Sequence, residues 1–281
     1  VPSLDALVAA GFDVALVVTA PDRRRGRRAA PTPTPVKEAA LAHGIPVTDD
    51  LDDLIGAGVD LGVVVAFGRI LPRTLLERVP MVNVHFSLLP RWRGAAPVER
   101  ALLAGDDRTG VCVMAVEEGL DTGAVYARAE VPISSTATAP ELLATLADRG
   151  ARLLVETLRE GLGTPEPQVG EPTYASKIGP SDLELRWERS AEELHRVVRV
   201  GGAWTTVDGS RLKVHRARPL PDAEGPPPAG SLHAERVTTG LGTLELVEVQ
   251  PEGRSRVDVG SWLRGARRDG PVVLGREGPS T

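Results

Sequence analysis

The chain has 281 residues, a formal net charge of -5, 42% hydrophobic residues and 25% charged residues, which is enough for two domains with full cores. It holds no apolar run of eighteen residues and therefore no candidate transmembrane helix. Its single cysteine, Cys112, excludes an internal disulfide and is expected as a packing residue in a reducing cytosol.

The opening VPSLDALVAAGFD has no basic n-region and carries an Asp, unlike a signal peptide. Pro2, Leu4, Leu7, Val8 and Gly11 predict a short helix that stops at Gly11, and residues 14–19 predict a strand. A helix feeding a parallel strand normally follows a strand of its own, so about a dozen upstream residues are expected to belong to the working protein. Thr34 followed by Pro35 predicts a capped helix that ends at Gly44. Between these elements Arg23, Arg24, Arg25, Arg27 and Arg28 crowd around Gly26, in a βα loop at the carboxyl edge of the sheet. By itself such a run is ordinarily a solvated loop.

Residues 45–48 predict a strand, 51–55 a short helix, and 61–67 a central parallel strand that is apolar on both faces. Strand patterns follow at 81–86, 111–116 and 124–131. Thr138 and Glu141 form a capping box for a long amphipathic helix with Leu142, Leu146, Leu153, Leu154 and Leu158 on its buried side and Gly161 as its stop. This alternation predicts an α/β domain with a doubly wound, mostly parallel sheet over residues 1–162. No GxGxxG marks it as dinucleotide-binding, and the GxG at Gly240 to Gly242 reads as a hairpin turn.

Residues 163–180 are rich in Pro and Gly, lack periodicity and read as a linker. Ser190 and Glu193 make a second capping box, for a helix carrying Leu194, Val197 and Val198, and short strands follow at 204–207, 212–217, 231–237 and 244–249. A small β-barrel is expected over 181–281. His43, His195, His215 and His233 each stand apart from Cys and carboxylate clusters, so they are expected to be structural or surface residues and no metal is expected.

The chemistry concentrates in residues 82–97, VNVHFSLLPRWRGAAP. Asn83 and His85 interrupt an apolar strand at a spacing of two, so their side chains share one face. Ser87, Pro90 and Gly94 then predict an irregular loop over the strand's carboxyl end, where open α/β sheets place ligands. Downstream, EGLDTG puts Asp121 in a Gly-flanked loop between two strands. Each residue alone is more often an ordinary core or turn residue, but an amide, an imidazole and a carboxylate together can hold an oxyanion and manage one proton.

Asn83-x-His85, SLLPRWRGAAP and Asp121 within GLDTG, thirty-eight residues after Asn83, resemble the 10-formyltetrahydrofolate-dependent formyltransferases, in full wording the methionyl-tRNA formyltransferases. The resemblance extends to PDRRRGRR and TPTPVK within 21–37, VVAFGRILP at 64–72, TYASKI at 173–178 and GAWTTVDGSRLKVHRAR at 202–218. It implies a formyltransferase-type Rossmann-like domain and an OB-like tRNA-binding barrel. It also implies formyl transfer from 10-formyltetrahydrofolate to the α-amino group of methionine on initiator tRNA, with Asn83, His85 and Asp121 catalytic. Ser87, Leu88, Leu89 and Pro90 match the folate-contacting segment, and residues 64–71 are expected to wall the pterin pocket. Arg23, Arg24, Arg25, Arg27, Arg28 and Lys37 are expected at the tRNA acceptor stem, Arg27 matching the family's arginine. The implied protein is a cytoplasmic monomer with no DNA or membrane partner.

An amino-sugar formyltransferase would share the trio but not need the arginines or the barrel. A formyltetrahydrofolate hydrolase would carry a regulatory domain as well, and a catalytically dead tRNA-binding relative would not need the trio intact. The sequence departs from the family where the Asn-Pro-Trp-Pro type turn is missing between Val200 and Gly202, around 236–243, which is shortened, and at the amino terminus, where the first strand and its Gly-Thr-Pro turn are not seen.

Overall fold

A computed structural model of the chain describes residues 1–24, 30–266 and 272–275. They divide into two compact units whose segments interleave along the chain: Val1–Val98, Arg108–Pro132 and Leu143–Ser176 in the first, Glu99–Asp107, Ile133–Leu142 and Lys177–Thr281 in the second. The segment expected as a linker therefore belongs to the first unit up to Ser176. Individual hydrogen bonds hold it there, Glu166 bridging Val125 and the Thr173 carbonyl accepting from the Arg93 amide at 2.9 Å.

The first unit begins with α1 (Pro2–Ala9), which ends before Gly11, where φ is 84°. Next come β1 (Val17–Val18), the short antiparallel pair β2 (Arg23–Arg24) and β3 (Pro31–Thr32), α2 (Pro35–Ala42) and β4 (Val47–Thr48), which runs parallel to β1. Thr34 caps α2, its Oγ1 accepting from the Lys37 amide at 3.2 Å. Leu4, Ala40 and Ile45 form a small core with Val17 and Val47 packed against it.

After α3 (Asp53–Gly56) come β5 (Gly62–Val64), α4 (Arg73–Leu76) and β6 (Met81–His85). β5 is shorter than its apolar run because Ala66 and Gly68 turn left-handed, with φ of 48° and 70°. β7 (Arg93–Gly94) and α5 (Pro97–Ala104) lead to β8 (Arg108–Ala115) and β9 (Val125–Pro132). The sheet runs β5-β6-β8-β9, parallel between β5 and β6 and antiparallel at the β8 and β9 edge.

The helix α6 (Ala139–Glu160) starts at the expected capping box, where Glu141 Oε2 accepts from the Thr138 amide at 2.9 Å. Gly150 lets it approach the sheet, since a Cβ there would lie 2.8 Å from Val84 Cγ1 and 3.1 Å from Val111 Cγ1. The first unit closes with β10 (Tyr174–Ala175), which pairs with β7 in parallel.

In the second unit α7 (Ala191–Val200) starts at the Ser190 and Glu193 capping box. The strands are β11 (Trp204–Val207), β12 (Ser210–Leu220), β13 (Ser231–His233), β14 (Arg236–Thr238), β15 (Thr243–Pro251), β16 (Val257–Asp258), and, after α8 (Val259–Ala266), β17 (Val272–Val273). They form a sheet in the order β11-β12-β15-β14-β13-β17, with β16 beside β15. The Gly275 amide donates to the Thr206 carbonyl at 2.9 Å, so the far end of the sheet returns to β11 and the barrel nearly closes. Residues 231–237, expected as one strand, are a hairpin that turns at Ala234, where φ is 50°, and pairs Leu232 with Val237. Leu194, Leu212, Val214, Leu244, Leu246 and Trp262 are among its core residues.

Candidate active site

β6 carries Asn83 and His85 on one face while Val82 and Val84, 1% and 3% exposed, fill the other. Asn83 pairs with Val64 of β5 and Met114 of β8, and His85 with Cys112, so both site residues lie on an inner strand. His85 is buried, and its Nε2 lies 2.9 Å from the carbonyl oxygen of Trp92. A carbonyl only accepts, so Nε2 carries a proton and Nδ1 is the nitrogen free to exchange one. Nδ1 faces Asp121 Oδ2 at 3.6 Å.

Asp121 adopts a left-handed conformation without being glycine, with φ of 49°. Its Oδ2 accepts from the Gly94 amide at 2.8 Å and its Oδ1 from Asn83 Nδ2 at 3.4 Å. Gly123 has no room for a side chain, because a Cβ would lie 2.0 Å from the Ala115 carbonyl oxygen, and this close approach seats the Asp121 loop against the end of β8. On the loop's other side Gln168 Nε2 donates to the carbonyls of Asp121 and Gly123, both at 2.8 Å. Gln168 Oε1 accepts from Arg93 Nε at 3.1 Å and Nη2 at 2.7 Å. Thr173 accepts from the Trp92 amide at 2.9 Å through Oγ1 and from the Arg93 amide at 2.9 Å through its carbonyl. The geometry thus brings the three expected side chains together, with two donors and one carboxylate on a single face.

The other expected site residues divide by what their side chains do. Ser87 is fully buried and its hydroxyl donates to the Arg91 carbonyl, while Leu89 packs with Cys112, Met114 and Val125. Both of those side chains are thus turned into the fold. Leu88 and Pro90 remain half-buried. In the 64–71 segment Val64, Phe67 and Leu71 pack on a core of Leu51, Leu75, Val79 and Met81, whereas Ile70 is 94% exposed.

Arg23 and Arg24 are exposed on β2, and Arg25, Arg27 and Arg28 lie outside the described residues. Lys37 is ion-paired, its Nζ 2.8 Å from Asp22 Oδ1. The four remaining histidines are accounted for separately. His43 pairs with Asp5 at 2.9 Å, His215 with Gln250 at 2.9 Å, and His233 is exposed at the hairpin. Burial, helped by the Arg199 charge, pushes His195 down to about 4. Burial also pushes the Cys112 thiol up, which makes it a poor nucleophile. Sequence reasoning did not find Gln168, Thr173 or the Trp92 carbonyl. Gln168 sits in a segment without periodicity, and a main-chain acceptor has no residue signature.

The "Formyl transferase" family profile matches residues 3–158 and the "Formyl transferase, C-terminal domain" profile residues 177–267. Methionyl-tRNA formyltransferase from Symbiobacterium thermophilum is 44% identical, over 94% of this chain and 88% of its own length. The protein of that name from Heliobacterium modesticaldum is 43% identical, over 96% of this chain and 95% of its own. Among solved structures, an N-formyltransferase from Helicobacter canadensis in complex with folinic acid and dTDP-3-aminofucose superposes with a TM-score of 0.67 at 17% identity, covering 87% of this chain and 94% of that one.

Proposed function

The chain belongs to the formyl transferase family, with methionyl-tRNA formyltransferases as relatives over nearly its whole length, and from that membership we propose that Asn83, His85 and Asp121 carry out its reaction. The reaction is transfer of a formyl group from 10-formyltetrahydrofolate to the α-amino group of methionyl initiator tRNA. A bond forms between the amine nitrogen and the formyl carbon, and the bond from that carbon to N10 breaks. One proton leaves the amine and one arrives on N10.

The observation that carries the assignment is the convergence of Asn83 Nδ2 and His85 Nδ1 on the Asp121 carboxylate, at 3.4 Å and 3.6 Å. Asn83 Nδ2 and a protonated His85 Nδ1 are donors for the oxygen that gains charge as the amine adds. Asp121 orients His85 and, with Nδ1, supplies a path for the proton. Nothing in this scheme needs a covalent enzyme intermediate, consistent with a buried, un-nucleophilic Cys112.

For the co-substrate, β5 and β6 are parallel neighbours, so the loops after them, 65–71 and 86–90, leave the same edge of the sheet. Exposed Ile70 and half-buried Leu88 and Pro90 supply apolar surface there, suited to a pterin ring, and the main chain of 87–90 supplies polar groups. Arg23, Arg24, Arg25, Arg27 and Arg28 are assigned to the tRNA acceptor stem, with the barrel over 181–281 gripping the tRNA elsewhere. The same reading makes the chain a cytoplasmic monomer with no DNA or membrane partner. The test is to offer formyl-labelled 10-formyltetrahydrofolate with charged initiator tRNA, with an amino-sugar nucleotide and with water. Label is expected on the tRNA, and label on the sugar or as free formate would overturn the acceptor assignment.

A further inference from the structure

We propose that Gln168 is a positioning residue for the formyl transfer and acts through Asp121. All the hydrogen-bonding capacity of its amide is used at this one place: both Nε2 protons go to the carbonyls of Asp121 and Gly123, and both Oε1 lone pairs are taken by the Arg93 guanidinium. The amide orientation is unambiguous, because a flipped group would set an oxygen against two carbonyls and an NH2 against a cation.

Arg93 and Gly94 are consecutive, and the Gly94 amide holds Asp121 Oδ2 at 2.8 Å. The carboxylate of Asp121 and its main-chain carbonyl are thus fixed from one two-residue strand, the first directly and the second through Gln168. This closed circuit holds a non-glycine residue in a left-handed turn, φ 49°, next to His85. Without Gln168 the loop keeps its seat against Ala115 on the β8 side but loses every side-chain tie from residue 168 on the other. The consequence is a carboxylate that wanders from His85 Nδ1 while the folate and tRNA surfaces stay intact.

This role rests on the Asn83, His85 and Asp121 assignment, and the test separates the two. Single-turnover and steady-state formyl transfer is measured for Gln168→Ala, Gln168→Glu, Asp121→Asn and the double variant Asp121→Asn with Gln168→Ala, with melting temperatures for all. Gln168→Glu keeps the Arg93 partner and the bulk, so it folds, but it turns an oxygen toward the two carbonyls. A misplacement of about 1 Å at a reacting group costs on the order of 100-fold, so both Gln168 variants are expected to lose about 10- to 100-fold in kcat, with KM for each substrate within about twofold. In the Asp121→Asn background the Gln168→Ala change is expected to cost less than about threefold, the signature of two residues acting as one unit. Equal fold losses in the two backgrounds, or a loss confined to KM, would overturn the positioning role. If Asp121→Asn is slow and both Gln168 variants are fast, that role alone is overturned. If Asp121→Asn keeps wild-type turnover, the trio assignment fails and the Gln168 role falls with it.

Discussion

Nε2 of His85 donates to the carbonyl oxygen of Trp92 across 2.9 Å. The imidazole is therefore pinned on one nitrogen and works with the other. His85→Gln can keep a donor near the Trp92 carbonyl but has nothing where Nδ1 was. Its turnover is expected to fall as far as that of His85→Ala, about 100-fold or more, the scale for losing an oxyanion donor or an acid-base group. Its melting temperature is expected to stay nearer the parent's. Asn83→Ala and Asp121→Ala should lose turnover on the same scale with folate affinity unchanged. Single-turnover rates and folate titrations decide this, and a fast His85→Gln would mean that Nδ1 is not the working nitrogen.

The arginine cluster is tested by salt. Neutralising Arg27 and Arg28 should weaken tRNA binding and flatten the slope of log K against log salt by up to roughly 0.9 per lost phosphate contact, leaving folate affinity alone. Lys37→Ala should change the slope by less than either arginine, because Asp22 already lies 2.8 Å from its ammonium. Binding isotherms at several ionic strengths measure both, and an unchanged slope for the arginine variant returns the cluster to a solvated charge run.

What was legible in the sequence is what side-chain type and period record. The spacing of Asn83 and His85 places both on one face of β6, and both capping boxes, Thr138 with Glu141 and Ser190 with Glu193, open the helices expected of them. What was not legible depends on the main chain or on contacts remote in sequence. Ala234 reverses the chain between Leu232 and Val237, inside a run that reads as one strand, since a left-handed alanine has no sequence signal. Ser87 and Leu89 match the folate segment, yet their side chains turn inward, because a loop lacks the periodicity that would assign its faces. Gln168 reaches Asp121 across 47 positions from a Pro- and Gly-rich stretch that pattern alone reads as a linker.

Arg199 is expected to matter for stability. It is 9% exposed, and its Nη1 donates to the carbonyls of Ser134 at 3.1 Å and Ala137 at 3.2 Å, tying α7 to the turn before α6. Arg199→Met keeps much of the apolar stem but leaves both carbonyls without this donor, which should cost about 2–4 kcal/mol. Denaturant unfolding of the variant measures it. A cost below about 0.5 kcal/mol, the size of an ordinary surface change, would show that water replaces the guanidinium.

His195 predicts a pH dependence with a definite sign. Burial, and secondarily the charge of Arg199, lowers it from 6.5 to about 4 in the folded chain. Between those values the unfolded chain binds a proton that the folded chain does not, so unfolding free energy rises with pH there. The contribution is therefore fully present above pH 6.5, shrinks as the pH falls, and is gone once it passes through about 4. The capping carboxylates Glu193 and Asp182 are held below their ordinary values by hydrogen bonds from Ser190 and Arg100, so they too favour the folded state until more acidic pH. Wild type and His195→Leu share those groups, and the difference between their melting temperatures cancels them. That difference should change in favour of the variant as the pH is taken from 6.5 toward 4. A difference that stays constant across the range would mean that His195 takes up its proton as readily folded as unfolded.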